Sequence, residues 1–293
     1  MAAKKRWTKK RWIARRPLII WMAIIGIALA GMEPVDAAPQ AELWPKWDKY
    51  DDSSTTKVDH SQWVLQDYLV TDDHSGVNLV RYSKVTESDR KKLDAYLDKL
   101  QQVKVTGLNL EEQKAYWINL YNALTVKVVL DHYPVKSIRD INLSSGLLGI
   151  FTGGPWKAKL IKVEGEELSL DDIEHRILRP IWRDNRVHYA VNCASIGCPN
   201  LQPQPFTAEN TDSVLNKAAR DYINHPRGVT VISTDKIMLS SIYDWFQKDF
   251  GGSREGVLQH LQKYAEPRLA QRLKNFQGKI DYQYDWTLND ARQ

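Results

Sequence analysis

The sequence predicts a single α+β domain, in which several helices pack on a small mixed or antiparallel sheet. Two patterns indicate this class: apolar residues recur at helical spacing in capped segments, and short alternating runs lie between those segments. The length of 293 residues and the apolar content of 43% are ordinary for a folded chain. We place the domain at residues 63–287, after a polar lead-in at residues 38–62.

Residues 1–37 have the pattern of a secretory signal. A cationic segment precedes an apolar run at residues 18–32, and Pro34 and small residues follow it. As a helix, this run covers roughly 22 Å, less than the roughly 30 Å of a hydrocarbon core, which favours cleavage after Ala37 or Ala38 over an uncleaved N-terminal anchor. Both alternatives predict an exported domain, located in the periplasm or outside the cell and attached to a membrane only through the leader.

The formal charge of +5 resides in this leader. Residues 1–37 contain eight of the 41 basic residues and two of the 36 acidic residues, so the remainder has 33 basic and 34 acidic residues. A remainder with a net charge of −1 has no basic surface for a polyanion. We therefore expect no nucleic-acid partner.

Capping residues and turn residues divide the domain into elements. Thr86, Asn109 and Ser169 each precede a predicted helix, with an acidic residue three positions later. The predicted strands occupy residues 63–70, 77–85, 157–163, 187–192, 229–239 as a hairpin, and 280–286. Further helices are predicted at residues 207–225, 240–250 and 255–265.

Common cofactor and catalytic motifs are absent from the sequence. It has no glycine-rich dinucleotide loop, no Walker loop, no Gly-x-Ser-x-Gly elbow and no His-Glu-x-x-His pair. We therefore expect no cofactor and no metal. The expected ligand is a small molecule, a peptide or a glycan.

Cys193 and Cys198 are the two cysteines of the chain. In an oxidising compartment two neighbouring cysteines usually pair, so they are a disulfide candidate that would shape a loop. Alternatively, Cys193 is a nucleophile, with His175 as one choice of base, because an extended segment at 187–192 would keep His188 from touching it. A thiol-redox role is a third interpretation, although four intervening residues are an unusual spacing for it.

Glu174 interrupts an apolar helical stripe and should face the core. The stripe consists of Leu170, Ile173, Ile177 and Leu178. A buried carboxylate needs a partner. The candidates are Arg179, Arg186, Lys157 and His188. Glu174 then either takes part in a structural ion pair or is an acid that orients His188. His188 is itself either a hydrogen-bonded core residue or a general base. We expect His175 to be solvated, and we expect Glu174→Gln to lower stability.

Three further residues are candidates for binding. Asn119 and Asn122 lie on one face of the helix after Asn109, where their amides either satisfy a neighbouring loop or donate to a substrate. Trp156 follows Gly153, Gly154 and Pro155 at the end of a glycine-rich loop. It either flanks a cleft under a mobile lid or pins a surface loop.

Four sequence blocks, in order, resemble the family called domain of unknown function 547. They lie at residues 116–124, 168–175, 188–199 and 239–246, within a family-like core of about residues 77–252. The family name implies no activity. The family also has a remote similarity to papain- and transglutaminase-like thiol enzymes, in which the cysteine precedes the histidine, whereas here His188 precedes Cys193.

Two functions remain open at the level of sequence. One is a thiol- or histidine-dependent hydrolase or acyl transferase that uses His188, Cys193 and Glu174. The other is a non-catalytic module that binds a peptide or glycan and contains a structural cysteine loop.

Overall fold

The computed structural model describes residues 39–63, 65–143 and 154–291. Within these residues, seven α-helices and one π-helix pack with sheets of two or three strands, which confirms the predicted α+β class. The predicted leader at residues 1–37 and most of the glycine-rich loop proposed as a lid lie outside the described residues. None of the helices in the described segments is long and apolar enough to cross a membrane.

The α-helices are numbered in chain order. They are α1 Glu87–Gln101, α2 Leu110–His132, α3 Arg179–Trp182, α4 Thr211–Ile223, α5 Ile242–Trp245, α6 Arg254–Tyr264 and α7 Pro267–Leu273. The strands are β1 Leu69–Val70, β2 Leu79–Val80, β3 Ile161–Val163, β4 Glu166–Leu168, β5 Val229–Val231, β6 Lys236–Ser240 and β7 Lys279–Gln283. β1 pairs with β2 and β3 with β4, both antiparallel.

Helix α2 forms the centre of the main hydrophobic core. The Asn109 side chain caps it by accepting a hydrogen bond of 2.9 Å from the Glu112 amide, as the sequence predicted. The helix is buried on all its sides, which is typical of a core helix. Trp47, from the segment predicted as a lead-in, packs edge-on against Trp117 with ring centroids 5.0 Å apart. That segment is therefore part of the core.

A second core lies between helices α4 and α6 and the sheet β5–β6–β7. The predicted hairpin forms, with Val229 opposite Leu239 in antiparallel register. Strand β7 adds parallel to β6, with Ile237 opposite Ile280, after a crossover through α5, α6 and α7. Ile237 and Leu239 are buried and hold the sheet against the helices.

Three local predictions are wrong. The segment predicted as a strand at 187–192 is a 3-10 helix, Asn185–Tyr189, because the Asp184 side chain caps it at the Arg186 amide (3.0 Å) and the three sheets offer it no partner strand. The predicted helix at 240–250 is reduced to α5, followed by turns that end at Gly251. The predicted strands at 63–70 and 77–85 contain only the two-residue strands β1 and β2.

The helix after Ser169 is a π-helix, Asp172–Leu178. Its predicted cap is present, because the Ser169 hydroxyl accepts from the Asp172 amide at 3.1 Å and the Asp172 carboxylate accepts from the Ser169 amide at 2.9 Å. Wider winding than an α-helix turns both Glu174 and His175 inward. The prediction that His175 is solvated is therefore wrong, since this residue is 6% exposed.

Candidate functional site

Glu174 and His188 meet inside the domain. The π-helix places Glu174 in the interior, where it is 8% exposed, as its position in the apolar stripe predicted. The 3-10 helix places His188 opposite it, 3% exposed, and its Nδ1 lies 3.7 Å from Glu174 Oε1. Of the four partners considered for Glu174, His188 is the one at this distance. Arg186 instead pairs with Asp184.

Asp249 completes this cluster and was missed by sequence reasoning. Its Oδ2 lies 2.7 Å from His188 Nε2 and 2.6 Å from Arg179 Nε. Arg179 also donates to the Pro39 carbonyl at 2.7 Å, so it is fixed from two directions. Asp249 follows the last family-like block by three residues, but no periodicity in the sequence places it opposite His188. We call Glu174, His188, Asp249 and Arg179 the histidine cluster.

Asp249 fixes the tautomer of His188. An ionised carboxylate accepts a hydrogen, so His188 holds its proton on Nε2 and presents an unprotonated Nδ1 towards Glu174. The Phe246 ring stacks on the imidazole with centroids 4.3 Å apart, and the Arg179 guanidinium lies 4.7 Å from that same ring. The Phe250 ring also contacts the imidazole, with centroids 5.3 Å apart, so the orientation of His188 is set by one hydrogen bond and two aromatic contacts.

Burial sets the protonation states of the cluster. It raises the pKa of Glu174 to about 7, against the opposing charge of Arg179. Burial lowers the pKa of His188, and the hydrogen bond to Asp249 opposes that shift only in part. For Asp249, burial is outweighed by hydrogen bonds from His188 and Arg179, which hold its pKa well below the usual range. Near neutral pH the cluster thus combines a neutral imidazole with a carboxyl group that is partly protonated.

His175 is part of the wall of the histidine cluster. Its Nδ1 accepts a hydrogen bond from Arg179 Nη1 at 3.0 Å and lies 3.8 Å from Glu174 Oε1. Burial, together with the charge of Arg179, lowers the pKa of His175 well below its usual value. A neutral His175 that accepts from Arg179 helps to position this guanidinium.

The two cysteines form a second polar cluster, the thiol pair. They are free thiols whose sulfur atoms lie 2.7 Å apart. The Cys193 amide donates to Cys198 Sγ at 2.9 Å, and Cys193 Sγ lies 3.1 Å from the Tyr284 hydroxyl and 3.3 Å from the Ser195 hydroxyl. The disulfide suggested by the sequence stays a prediction. Tyr284 was missed, because it lies beyond the family-like core of the sequence.

The histidine cluster and the thiol pair are adjacent but separate. His188 has its polar contacts with Asp249 and Glu174, and none of the polar contacts of Cys193 is to His188. Tyr121 interacts with both clusters, since its hydroxyl hydrogen-bonds Glu174 and it interacts electrostatically with both thiols. A direct His188–Cys193 pair therefore does not form in this structure.

Asn119 and Asn122 hold two loops against α2. Asn119 donates to the Phe206 carbonyl at 2.7 Å and accepts from its amide at 2.9 Å. Asn122 donates to the Ala190 carbonyl and accepts from the Asn192 amide, both at 2.9 Å. These contacts match the first interpretation, in which each amide satisfies a loop. Through Asn122, the helix fixes the backbone between His188 and Cys193.

Trp156 belongs to a row of aromatic rings near the thiol pair. Its ring lies 5.7 Å from that of Trp286, which stacks on Trp245 at 5.6 Å, and Tyr284 contacts both Trp245 and Trp286 at 4.9 and 4.7 Å. All four residues are half-buried. We call them the aromatic row, and the hydroxyl of Tyr284 links this row to Cys193.

Two cavities in the described residues lie elsewhere. One of about 520 Å³ is lined by residues that include Asp235, Arg268 and Arg272, and one of about 170 Å³ is lined by residues that include Lys114 and Trp182. Neither cavity is lined by the histidine cluster or the thiol pair. His188 is 3% exposed, whereas Cys193 is half-buried.

Comparison with known families matches residues 105–223 to the family described as Protein of unknown function, DUF547. The matched segment contains α2, the π-helix, His188 and both cysteines. Asp249 and Tyr284, which complete the two clusters, lie outside it. No curated protein and no solved structure matches the chain.

Proposed function

The chain belongs to the family described as Protein of unknown function, DUF547, whose description assigns no activity, and we propose that it is an exported hydrolase or acyl transferase. Export rests on the cationic and apolar pattern of residues 1–37. The periplasm or the cell exterior is the proposed location, with attachment through an uncleaved leader as the alternative. The proposed chemistry rests on the residues of the two clusters.

One observation carries the catalytic proposal. Asp249 holds His188 at 2.7 Å with Nδ1 unprotonated, and Nδ1 faces a carboxyl group whose pKa burial raises to about 7. Two titratable groups whose environments differ in this way supply a base and an acid at the same pH. A structural ion pair would keep this carboxyl group ionised, whereas burial leaves it partly protonated near neutral pH.

In the proposed reaction, His188 Nδ1 takes a proton from the attacking group as that group bonds to an acyl carbon. Protonated Glu174 then gives its proton to the leaving group as the bond to the acyl carbon breaks. Asp249 stays ionised and stabilises the imidazolium that forms. General acid–base catalysis of this kind contributes about 10²- to 10⁴-fold in rate.

Two nucleophiles remain possible in this scheme. Water gives a histidine-dependent hydrolase, and the Cys193 thiol gives a thiol-dependent enzyme with an acyl-cysteine intermediate. Cys193 is half-buried beside the Tyr284 and Ser195 hydroxyls, which supports the second route. That route requires the loop between His188 and Cys193 to bring the two side chains closer when an acyl group binds.

Hydrolysis of p-nitrophenyl acetate by the full chain tests the proposal. We expect a turnover above the buffer rate that falls about 10²- to 10⁴-fold in His188→Gln and in Asp249→Asn. His225→Gln is the matched control, since the His225 ring bonds the Ser75 carbonyl and lies outside both clusters. Full activity in His188→Gln, or no turnover by the wild type, contradicts the proposal.

Cys193→Ser separates the two nucleophiles. Loss of turnover in this variant, together with an acetyl group on Cys193 of the wild type by mass spectrometry, indicates the thiol route. Unchanged turnover indicates that water is the nucleophile.

The aromatic row favours a second candidate function, a binding module for a peptide or glycan. Half-buried tryptophan rings offer apolar faces of the kind that are enriched at recognition surfaces. Titration with soluble chitin oligosaccharides and with an unstructured peptide, followed by tryptophan fluorescence, tests this function. Saturable quenching that Trp286→Ala removes supports it, and an unchanged spectrum with both probes contradicts it.

A further inference from the structure

The acid–base scheme does not need the second cysteine. Cys198 is 3% exposed, yet its sulfur accepts a hydrogen bond from the Cys193 amide at 2.9 Å and lies 2.7 Å from the Cys193 sulfur. The Tyr284 hydroxyl lies 3.1 Å from Cys193 Sγ. Several hydrogen-bond donors therefore surround the two sulfur atoms. Packing of two small side chains alone would not require these hydrogen bonds.

The cysteine loop is held in place without a covalent link. Arg227 donates to the Ile196 carbonyl at 3.1 Å and to the Cys198 carbonyl at 2.6 Å. The Ile196 and Gly197 amides each donate, at 2.8 Å, to a carbonyl of the segment after β7. Closing so short a loop with a disulfide would add little conformational stabilisation. A purely structural purpose for the pair therefore has little support, because the loop keeps its conformation through other bonds.

The two thiols differ in accessibility. Cys193 is half-buried, and Cys198 is buried beneath it. A partly accessible thiol with a buried thiol behind it is the arrangement needed for attack on an external disulfide followed by internal resolution.

Hydrogen bonding also favours one negative charge on the pair. Burial alone would raise the pKa of Cys198, but the Cys193 thiol, the Tyr284 hydroxyl and the Cys193 amide outweigh it and lower this pKa to about 7. Burial and the neighbouring sulfur raise the pKa of Cys193 well above its usual value. The pair thus releases its first proton near neutral pH and holds the second, which either sulfur can carry.

We propose that Cys193 and Cys198 form a redox-active pair that exchanges electrons with low-molecular-weight disulfides and thiols. When the one proton left on the pair lies on Cys198, the Cys193 thiolate attacks one sulfur of the disulfide RSSR, which forms a mixed disulfide and releases RS⁻. Cys198 then gives its proton to solvent, and its thiolate attacks Cys193 Sγ, which forms the internal disulfide and releases the second RS⁻. Two electrons pass from the protein to RSSR, and the two thiol protons end on two RSH molecules. The reverse reaction with two RSH molecules restores the dithiol.

Equilibration of the full chain in glutathione buffers of graded composition tests this proposal. Free thiols are trapped by alkylation and counted by intact mass. We expect the dithiol to convert to the disulfide within the range of the buffers, with both species present at intermediate compositions. Two outcomes overturn the proposal: a pair that stays oxidised in reduced glutathione alone, as a structural disulfide would, or a pair that stays reduced in oxidised glutathione alone.

Two single variants test the order of attack. Cys198→Ser should accumulate a mixed disulfide with glutathione on Cys193, because the resolving thiol is missing. Cys193→Ser should leave the buried Cys198 unmodified over the same time. Tyr284→Phe should slow the first attack several-fold at neutral pH by removing one hydrogen-bond donor. Equal labelling of both cysteines in the folded single variants contradicts the assigned roles.

The redox reaction is distinguishable from the proposed hydrolase activity. His188→Gln removes the proposed base, but it leaves every contact of the thiol pair intact. The glutathione titration should therefore be unchanged in His188→Gln, whether or not the wild type hydrolyses esters. A shifted titration in this variant would instead show that the two clusters act as one site.

Discussion

Replacement of Glu174 by Gln should change how stability depends on pH. Arg179, the nearest guanidinium of the cluster, directs its hydrogen bonds to Asp249, His175 and the Pro39 carbonyl. The carboxyl group of Glu174 therefore lacks a cation at bonding distance among the described residues, and burial raises its pKa to about 7. The sequence led us to expect a loss of stability in this variant. The structure indicates that the sign of the effect depends on pH.

The magnitude follows from the two pKa values. Between 4.5, the ordinary value, and about 7, the folded protein holds this proton more tightly than the unfolded chain, so stability falls as pH rises. This difference in pKa contributes about 3 kcal/mol to the free energy of unfolding at low pH. About 2.5 kcal/mol of that contribution is lost between about pH 5 and about pH 8. An amide has no charge to lose. At about pH 5 the free energy of unfolding of Glu174→Gln should be slightly lower than that of the wild type. Between about pH 5 and about pH 8 it should rise by about 2.5 kcal/mol relative to the wild type.

Urea unfolding followed by tryptophan fluorescence at the two pH values measures this difference. Other ionisable groups titrate in both proteins, so the comparison isolates position 174. Glu167→Gln, which removes an exposed carboxylate on β4, is the matched control and should follow the wild type. Parallel curves for Glu174→Gln and the wild type would refute the reasoning, because they would show that the carboxyl group is solvated.

Three further variants test the packing that positions the site. Asn122→Leu should cost about 2–4 kcal/mol in urea unfolding, because two buried backbone groups of the loop lose their partners. Gly228→Ala should cost about 3 kcal/mol, because its new Cβ would lie 2.0 Å from the Tyr222 carbonyl oxygen, whereas Gly107→Ala, with its nearest contact at 3.6 Å, should be close to neutral. Tyr189→Phe should cost about 1 kcal/mol by removing a buried hydroxyl that bonds a tyrosine and a histidine. A wild-type unfolding midpoint in Asn122→Leu, Gly228→Ala or Tyr189→Phe would contradict the contacts described.

Helix caps and apolar spacing are local signals, and the sequence predicted them well. Thr86, Asn109 and Ser169 each accept a hydrogen bond from the amide three residues later, as expected. The apolar stripe identified Glu174 as an interior residue, because the residues that define the stripe lie within two turns of one another. Contacts of this range depend on a few neighbouring residues, and a sequence pattern captures them.

Local patterns failed where two backbone conformations satisfy the same alternation. The run around His188 alternates as a strand does, but a cap at Asp184 starts a 3-10 helix there. The turn around Glu174 follows a π-helical rather than an α-helical course, which brings His175 inside. Spacing arguments assume one fixed rotation per residue, so a change of helix type changes which side chains face inward.

The sequence by itself determined the α+β class, the resemblance to one family, the concentration of positive charge in residues 1–37 and the candidate residues His188, Glu174 and Cys193. Only the tertiary structure brought Asp249 to His188, 61 residues away, and Tyr284 to Cys193, 91 residues away. Such pairs form because whole elements pack together, and no short-range pattern encodes which distant residues will then lie side by side. The chemistry of both clusters depends on these long-range contacts, because they set the tautomer of one imidazole and the charge of one thiol pair.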